Sequence, residues 1–399
     1  MNRILKNCRL IDGIVNEVVE TAYLVIEEDT IVEMGIGEPT NLESYEVIDC
    51  SGQYVLPGLI DCHVHLVWDG SPDPQSIINP FESDVITLRA YKHAMQTLKL
   101  GITTVRDVGS PERTVLHLRN DINNKHLQGP TIVASGAPIC MTGGHVYYLG
   151  YESDGPDEVR KNTRKVLKEG ADLIKVMATG GIYTFGEEPG SPQLTLDELR
   201  AAKEEAAKKN KKVAAHADGL EGIMNCLEVG IDTIEHGIYA DKNALSIMKD
   251  KGTFLVPTMI VMRQLSQDPK IPAWALDKAK EVVAPQQEML EEAIRMGVNI
   301  ATGTDCGSPV TPPEYYFDEL TIMNEAGMSP MEVIQASTRV AADCLGLEDR
   351  GVLAEGKKAD LLITGENPLE DLSSLRNDKQ IMKNGEFITA TSHSFVSSL

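Results

Sequence analysis

The chain has 399 residues, with 37 Lys+Arg against 60 Asp+Glu, 42% hydrophobic residues and only 5% aromatic ones. At ~100–200 residues per domain this is two or three domains, or one large barrel with an appendage. Ordinary hydrophobic and charged fractions exclude disorder, collagen and coiled coil. A net charge of −23 argues against nucleic-acid and anionic-membrane partners, because both repel an acidic surface.

The seven cysteines are odd in number and contain no C-x-x-C pair, so they write neither a disulfide framework nor a cysteine zinc site. The opening Met1-Asn2-Arg3-Ile4-Leu5-Lys6-Asn7-Cys8 lacks the apolar core of a signal peptide. No run approaches the ~20 apolar residues needed to span a bilayer. A cytoplasmic, soluble protein of enzyme size is expected.

In chain order, the first ~55 residues read as short strands with turn signals. Tyr23-Leu24-Val25-Ile26 and Ile31-Val32-Glu33-Met34 flank a polar hairpin tip, and Gln53-Tyr54-Val55-Leu56 runs into Pro57-Gly58. The middle of the chain then alternates short apolar strands with helical segments. Strands are expected at Leu59–Asp61, Thr103–Arg106, Thr131–Ala134, Leu173–Val176, Val213–His216, Thr233–His236, Phe254–Pro257 and Asn299–Thr302. Helical patterns lie between them, such as Thr195 to Asn210, where Thr195-x-x-Glu198 is a capping-box signature. Eight βα units predict a parallel sheet covered on both faces, and over ~290 residues they fit a (β/α)8 barrel better than an open sheet.

The C-terminal end returns to strand texture. Asp360–Thr364 is one strand, and Gln380-Ile381-Met382-Lys383 leads into the hairpin signal Asn384-Gly385, followed by a polar tail after Phe387. Residues 1–56 and 351–399 are therefore expected to build one small β-sandwich around a barrel of residues 57–350.

Six chemistry-bearing residues stand at or near strand ends, where barrel enzymes place their active sites. His63 and His65 are spaced i, i+2, so on a strand both imidazoles point to one face. Lys175 sits inside an apolar strand, His216 and His236 each close a strand, and Asp305 follows Thr302-Gly303-Thr304. A lone strand-end histidine means little, and a lysine can snorkel to a rim. Their coincidence in separate βα units points to a metal site, and imidazole with carboxylate suits zinc, manganese, iron or nickel.

These motifs carry a resemblance. Leu56-Pro57-Gly58-Leu59-Ile60-Asp61-Cys62-His63-Val64-His65 resembles the opening metal motif of the amidohydrolase superfamily. Asp172-Leu173-Ile174-Lys175-Val176-Met177-Ala178-Thr179-Gly180-Gly181 is similar to the segment carrying its carboxylated lysine. Ala215-His216-Ala217, Ile234-Glu235-His236-Gly237 and Gly303-Thr304-Asp305 match the remaining ligand motifs. The likeness runs down to Gly356-Lys357-Lys358-Ala359-Asp360-Leu361 and is nearest to the imidazolonepropionase-related branch that includes prolidases and dipeptide carboxypeptidases.

The resemblance implies two divalent metal ions, zinc being the expected element. His63, His65 and Asp305 would hold one, His216 and His236 the other, and Lys175 as a carbamate would bridge both. It implies hydrolysis of an amide bond in a dipeptide (Xaa-Pro or similar) or an N-acyl amino acid by a metal-bridging hydroxide, with Asp305 shuttling the proton. The neutral amine of a desolvated Lys175 would react with CO2 to give that carbamate. His145, in Thr142-Gly143-Gly144-His145, and Tyr239, three residues after His236, would bind the substrate's α-carboxylate. Glu187 and Glu188 read as solvated loop residues, and Cys62, Cys140 and Cys306 as small buried ones. Relatives are often homo-oligomers, so a homo-oligomer is expected by analogy. Two other readings stay open: a mononuclear deaminase or imidazolone-type cyclic-amide hydrolase, which needs no bridging lysine, and a non-catalytic scaffold barrel.

Overall fold

The computed structural model describes residues 2–40 and 42–388 of the chain. Five strands come first: β1 (Arg3–Leu10), β2 (Val19–Glu27), β3 (Thr30–Ile36), β4 (Glu46–Asp49) and β5 (Tyr54–Pro57). The middle contributes β6 (Leu59–Val64), β7 (Ile102–Asp107), β8 (Thr131–Ala134), β9 (Ile139–Cys140), β10 (Tyr151–Glu152), β11 (Leu173–Met177), β12 (Lys212–Ala217), β13 (Thr233–His236) and β14 (Phe254–Val256). Then β15 (Leu361–Thr364), β16 (Lys379–Lys383) and β17 (Glu386–Phe387) close the described chain.

Strands from both ends form one eight-stranded sheet, in the order β17-β16-β15-β5-β1-β2-β3, with β4 beside β1. The seam is the antiparallel pair of β15 and β5, with Leu362 opposite Leu56 and Ile363 opposite Val55. Both expected hairpins form there. The β2–β3 pair turns at Glu28-Asp29, and the β16–β17 pair turns at Asn384-Gly385, whose φ angles of 49° and 76° suit a tight primed turn. The polar tail from residue 389 onward lies outside the described residues.

The middle strands are parallel and lie in two sheets, β6-β7-β8 and β10-β9-β11-β12-β13-β14. Every residue of β6, β7, β11 and β13 is buried, as expected of strands covered on both faces by crossover helices. One of those helices, Leu196–Ala207, begins at Thr195 with both hydrogen bonds of the capping box.

Asn299–Thr302 departs from expectation. It makes only an isolated parallel bridge, Leu255 to Ile300, and no continuous strand. The reason lies in its hydrogen bonds. Ala301 N reaches Leu255 O on one side and Thr302 O takes Cys62 N on the other, but Thr302 N turns away to Ala336 O at the end of a helix. The segment still bridges β14 to β6, and that places Asp305 beside His63.

No helix among the described residues is long and apolar enough to cross a membrane.

Candidate metal centre

Five histidines (His63, His65, His145, His216 and His236), Lys175 and Asp305 line one cavity at the C-terminal ends of the parallel strands. Each histidine is held by one ring nitrogen, which leaves the other as a lone-pair donor. His63 Nδ1 donates to Glu235 Oε2 at 2.7 Å, and His65 Nδ1 donates to Gly109 O at 3.0 Å. His236 Nδ1 lies 2.6 Å from Thr258 Oγ1. His216 Nε2 faces Gly180 O at 3.4 Å and Asp218 Oδ2 at 3.3 Å, so its Nδ1 is the free nitrogen.

The free nitrogens converge. Asp305 Oδ1 is 3.7 Å from His63 Nε2 and 3.4 Å from His65 Nε2, and the His216 and His236 ring centroids are 4.7 Å apart. His63, His236 and Asp305 each offer one donor atom within 4.8 Å of the other two. That triad takes members from both of the ligand sets implied by the family resemblance, which places the sets side by side.

Burial sets the charge state. It pushes the His63 and His236 imidazoles well below their ordinary range and His65 to about 3, so all three are neutral ligands at neutral pH. Burial also lowers Lys175 to about 8 and raises Asp305 to about 7. Among the described residues, Lys175 Nζ is buried with no hydrogen-bond partner, and the Asp218 oxygens, also without one, have only the 3.3 Å approach of His216 Nε2. A buried amine without a partner costs about 1–3 kcal/mol or more, and a group bound there would remove that cost. Neutral imidazoles, a carboxylate and an orphaned amine in one cavity fit divalent metal ions.

The backbone is bent to aim these groups. His236 and Asp305 have φ of 68° and 58°, a left-handed conformation costing roughly 1–3 kcal/mol in non-glycine residues. Asp61 holds the Asp305 turn, accepting from Thr304 N at 3.1 Å, Thr304 Oγ1 at 2.6 Å and His63 N at 3.1 Å. Gly303 is required by closeness: a Cβ there would sit 2.4 Å from Val256 Cγ1 and 2.9 Å from His63 Cβ.

Beneath His63 lies a buried ion pair. Arg106 Nη2 donates to both Glu235 oxygens, at 2.7 and 2.9 Å, and Thr233 Oγ1 donates to Glu235 Oε1 at 2.5 Å. The guanidinium clamps both Glu235 oxygens, and Glu235 fixes the His63 tautomer. Glu235→Gln is expected to weaken metal retention by ~10–100-fold in a chelator competition. The melting temperature should also fall, because Arg106 is left buried against a neutral amide. Unchanged retention would reduce Glu235 to a partner of Arg106 alone.

His145 lies where expected, on the loop between β9 and β10, and its ring stacks on His216 with centroids 4.2 Å apart. Gly181 makes the space, since a Cβ there would meet the His145 ring at 2.4 Å. Glu187 is half-buried rather than solvated, its side chain 8% exposed. It accepts from His145 Nδ1 at 3.2 Å, Gln193 Nε2 at 2.6 Å and Gly181 N at 3.2 Å. Burial, then His216, hold the His145 pKa below its usual value despite Glu187. Tyr239 is 38% exposed and is not among the residues lining the cavity. Its backbone N–H donates to Asp218 O at 2.9 Å. Cys62, Cys140 and Cys306 are buried thiols.

Arg106, Asp218 and Glu235 were not among the expected site residues. Their signal was a charged residue at or beside the C-terminal end of an apolar parallel strand, where only a site or an ion pair tolerates one.

Residues 54–388 match the amidohydrolase family. The chain is similar to the ochratoxinase of Aspergillus niger, 31% identical over 366 residues, covering 82% of this chain and 73% of that one. It is similar to the imidazolonepropionase of Fusobacterium nucleatum, 27% identical over 405 residues, covering 91% and 89%. Among solved structures, a Xaa-Pro dipeptidase with methionine bound in its active site superposes with a TM-score of 0.91 at 33% identity, covering 97% of this chain and all of that one. With six ligand-type side chains gathered at the strand ends and a family match over most of its length, the chain belongs to the amidohydrolase family.

Proposed function

We propose that the protein is a binuclear metal-dependent hydrolase that cleaves an amide bond whose leaving part is an amino acid with a free α-carboxylate. The parallel strands close into a (β/α)8 barrel over residues 57–350, with both termini forming a small β-sandwich domain beside it. The observation that carries the reading is the orphaned Lys175 Nζ inside a cavity lined by His63, His65, His216, His236 and Asp305. An amine so placed suits a carbamate, made by adding CO2 and losing one proton. Two divalent ions, zinc by preference, would be held by His63, His65, His216, His236, Asp305 and that carbamate.

When bound, the metals supply a water acidified towards neutrality and an electrophile for the carbonyl oxygen. The chain's residues do the rest. Asp305, whose Oδ1 accepts from Ser308 Oγ at 2.8 Å, takes the water's proton and passes it to the leaving amine nitrogen. His145, its Nδ1–H donating to Glu187, would take a proton on Nε2 as the substrate carboxylate binds and donate it to that carboxylate. Tyr239 would assist at the rim, on the His236 side.

Carboxylate recognition has a direct test. A hydrogen bond to a charged group contributes ~1.5–3 kcal/mol, roughly 10- to 150-fold in kcat/KM. Wild type is expected to prefer a dipeptide acid over its C-terminal amide by about that factor, and His145→Ala to lose most of the preference. Equal cleavage of acid and amide by wild type would remove the carboxylate from the reading.

One observation favours a second reading. His63, His236 and Asp305 form a tight triad by themselves, and a single ion there would suit a mononuclear deaminase or cyclic-amide hydrolase. Metal analysis separates the two, with two equivalents per chain supporting the amide reading and one supporting the alternative. A panel of dipeptides and N-acyl amino acids, assayed for free amino acid with metal supplied, completes the test.

A further inference from the structure

The cavity lining is of two kinds. The ligand residues, His145 and Ser308 are polar. Trp68, Tyr148, Ile182, Val261, Met262 and Leu265 are aromatic or apolar. Three of these sit on the short helix Met259–Leu265, whose first two free backbone N–H groups donate to the buried Glu319 carboxylate, Met259 N at 3.0 Å and Ile260 N at 2.7 Å. Ile182, Val261, Met262 and Leu265 also belong to one buried cluster with Ala275, Ala279 and Val282. The wall is therefore packed from behind, and is not a set of loose side chains able to swing a charge inward.

Charge is the informative part. Among the described residues lining the cavity, Asp305 alone carries a carboxylate, and it faces His63 and His65. Glu187 is committed to His145, Gln193 and Gly181. Asp73, near the mouth beside Pro74, is exposed and already accepts from Ser76 N at 3.2 Å. An ammonium group on the acyl side of the scissile bond would meet apolar carbon on one side and the metal-binding groups on the other. Burying a cation without a counter-charge is costly.

Resting on the amide-hydrolase reading, we infer that the acyl half of the substrate is apolar and uncharged, so that N-acyl or N-blocked amino acids are preferred to dipeptides with a free α-ammonium. The carboxylate of the leaving amino acid lies towards His145 and His216, and the acyl chain lies along Ile182, Val261, Met262 and Leu265.

The test compares leucyl-proline with 4-methylpentanoyl-proline, which differs only in lacking the amino group. With metal supplied at pH 7, the desamino compound is expected to have roughly tenfold or higher kcat/KM, the equivalent of about 1.4 kcal/mol. The ratio should shrink as the pH rises past the α-ammonium pKa of about 8. Met262→Glu should shift the ratio towards leucyl-proline, whereas Met262→Gln should not. Because each ratio is taken within one preparation, a partly unfolded variant does not distort it. Leucyl-proline cleaved as well as or better than the desamino compound by wild type overturns the inference and leaves the amide reading standing. Cleavage of neither overturns both.

Discussion

Lys175→Ala should strip bound metal and turnover together. The reasoning starts from burial. Lys175 lies on β11 with every residue of that strand buried, its Nζ has no hydrogen-bond partner, and desolvation draws its pKa down to about 8. A positively charged lysine here would repel metal ions held by the neighbouring histidines. The neutral amine, converted to a carbamate, would instead supply an anion to them. Alanine removes both possibilities and leaves a void beside Met177 and His216. Metal content per folded chain, measured after desalting, should drop by at least one of the two equivalents. Activity loss should be at least the ~10²–10⁴-fold typical of removing an essential catalytic group. Added short carboxylic acids, entering the void as a substitute anion, should restore part of both. A Lys175→Ala protein with full metal content and wild-type turnover would end the binuclear reading.

Much of this site was legible in the order of residues, because its ligands occupy strand ends, and strand ends are marked by apolar runs that stop. Thr131–Ala134 and Thr233–His236 begin and end where expected, and the H-x-H pair closes β6. Asn299–Thr302 has the same composition but not the same partners. Its Thr302 N–H goes to a helix-end carbonyl, which no local pattern announces.

The groups behind the ligands were harder to see. Arg106 and Glu235 are 129 residues apart, and only the juxtaposition of β7 and β13 within the fold makes them a pair. Glu187 looked solvated because its neighbours are Gly186, Glu188 and Pro189. It is half-buried because the loop folds back on His145, a contact across 42 residues. Tyr239 is the opposite case. Its spacing from His236 is local and readable, but spacing alone does not turn the phenol into the cavity, and over a third of its surface stays exposed.

Asp305→Asn separates ligand from proton carrier. The carboxamide keeps an oxygen that can accept from Ser308 Oγ and face His63 and His65, but it cannot take a proton. In the wild type, burial raises the Asp305 carboxyl to about 7, while Lys175 and His216 pull it the other way. Bound cations add to that downward pull. An acid whose pKa sits in this region is well matched to taking a proton from water and returning it to an amine at neutral pH. The asparagine variant is therefore expected to lose ~10²–10⁴-fold in kcat, with a smaller loss of metal. The pH profile supplies the second readout. As a base, Asp305 must be ionised, so wild-type activity should fall as the pH drops through its pKa in the metal-loaded enzyme. The residual activity of the variant should lack that acid limb. A change in kcat of only a few-fold, with metal retained and the acid limb intact, would make Asp305 a ligand and assign the proton transfer to another group. Asp218 would be the next to test, since both of its oxygens lack hydrogen-bond partners beside His216.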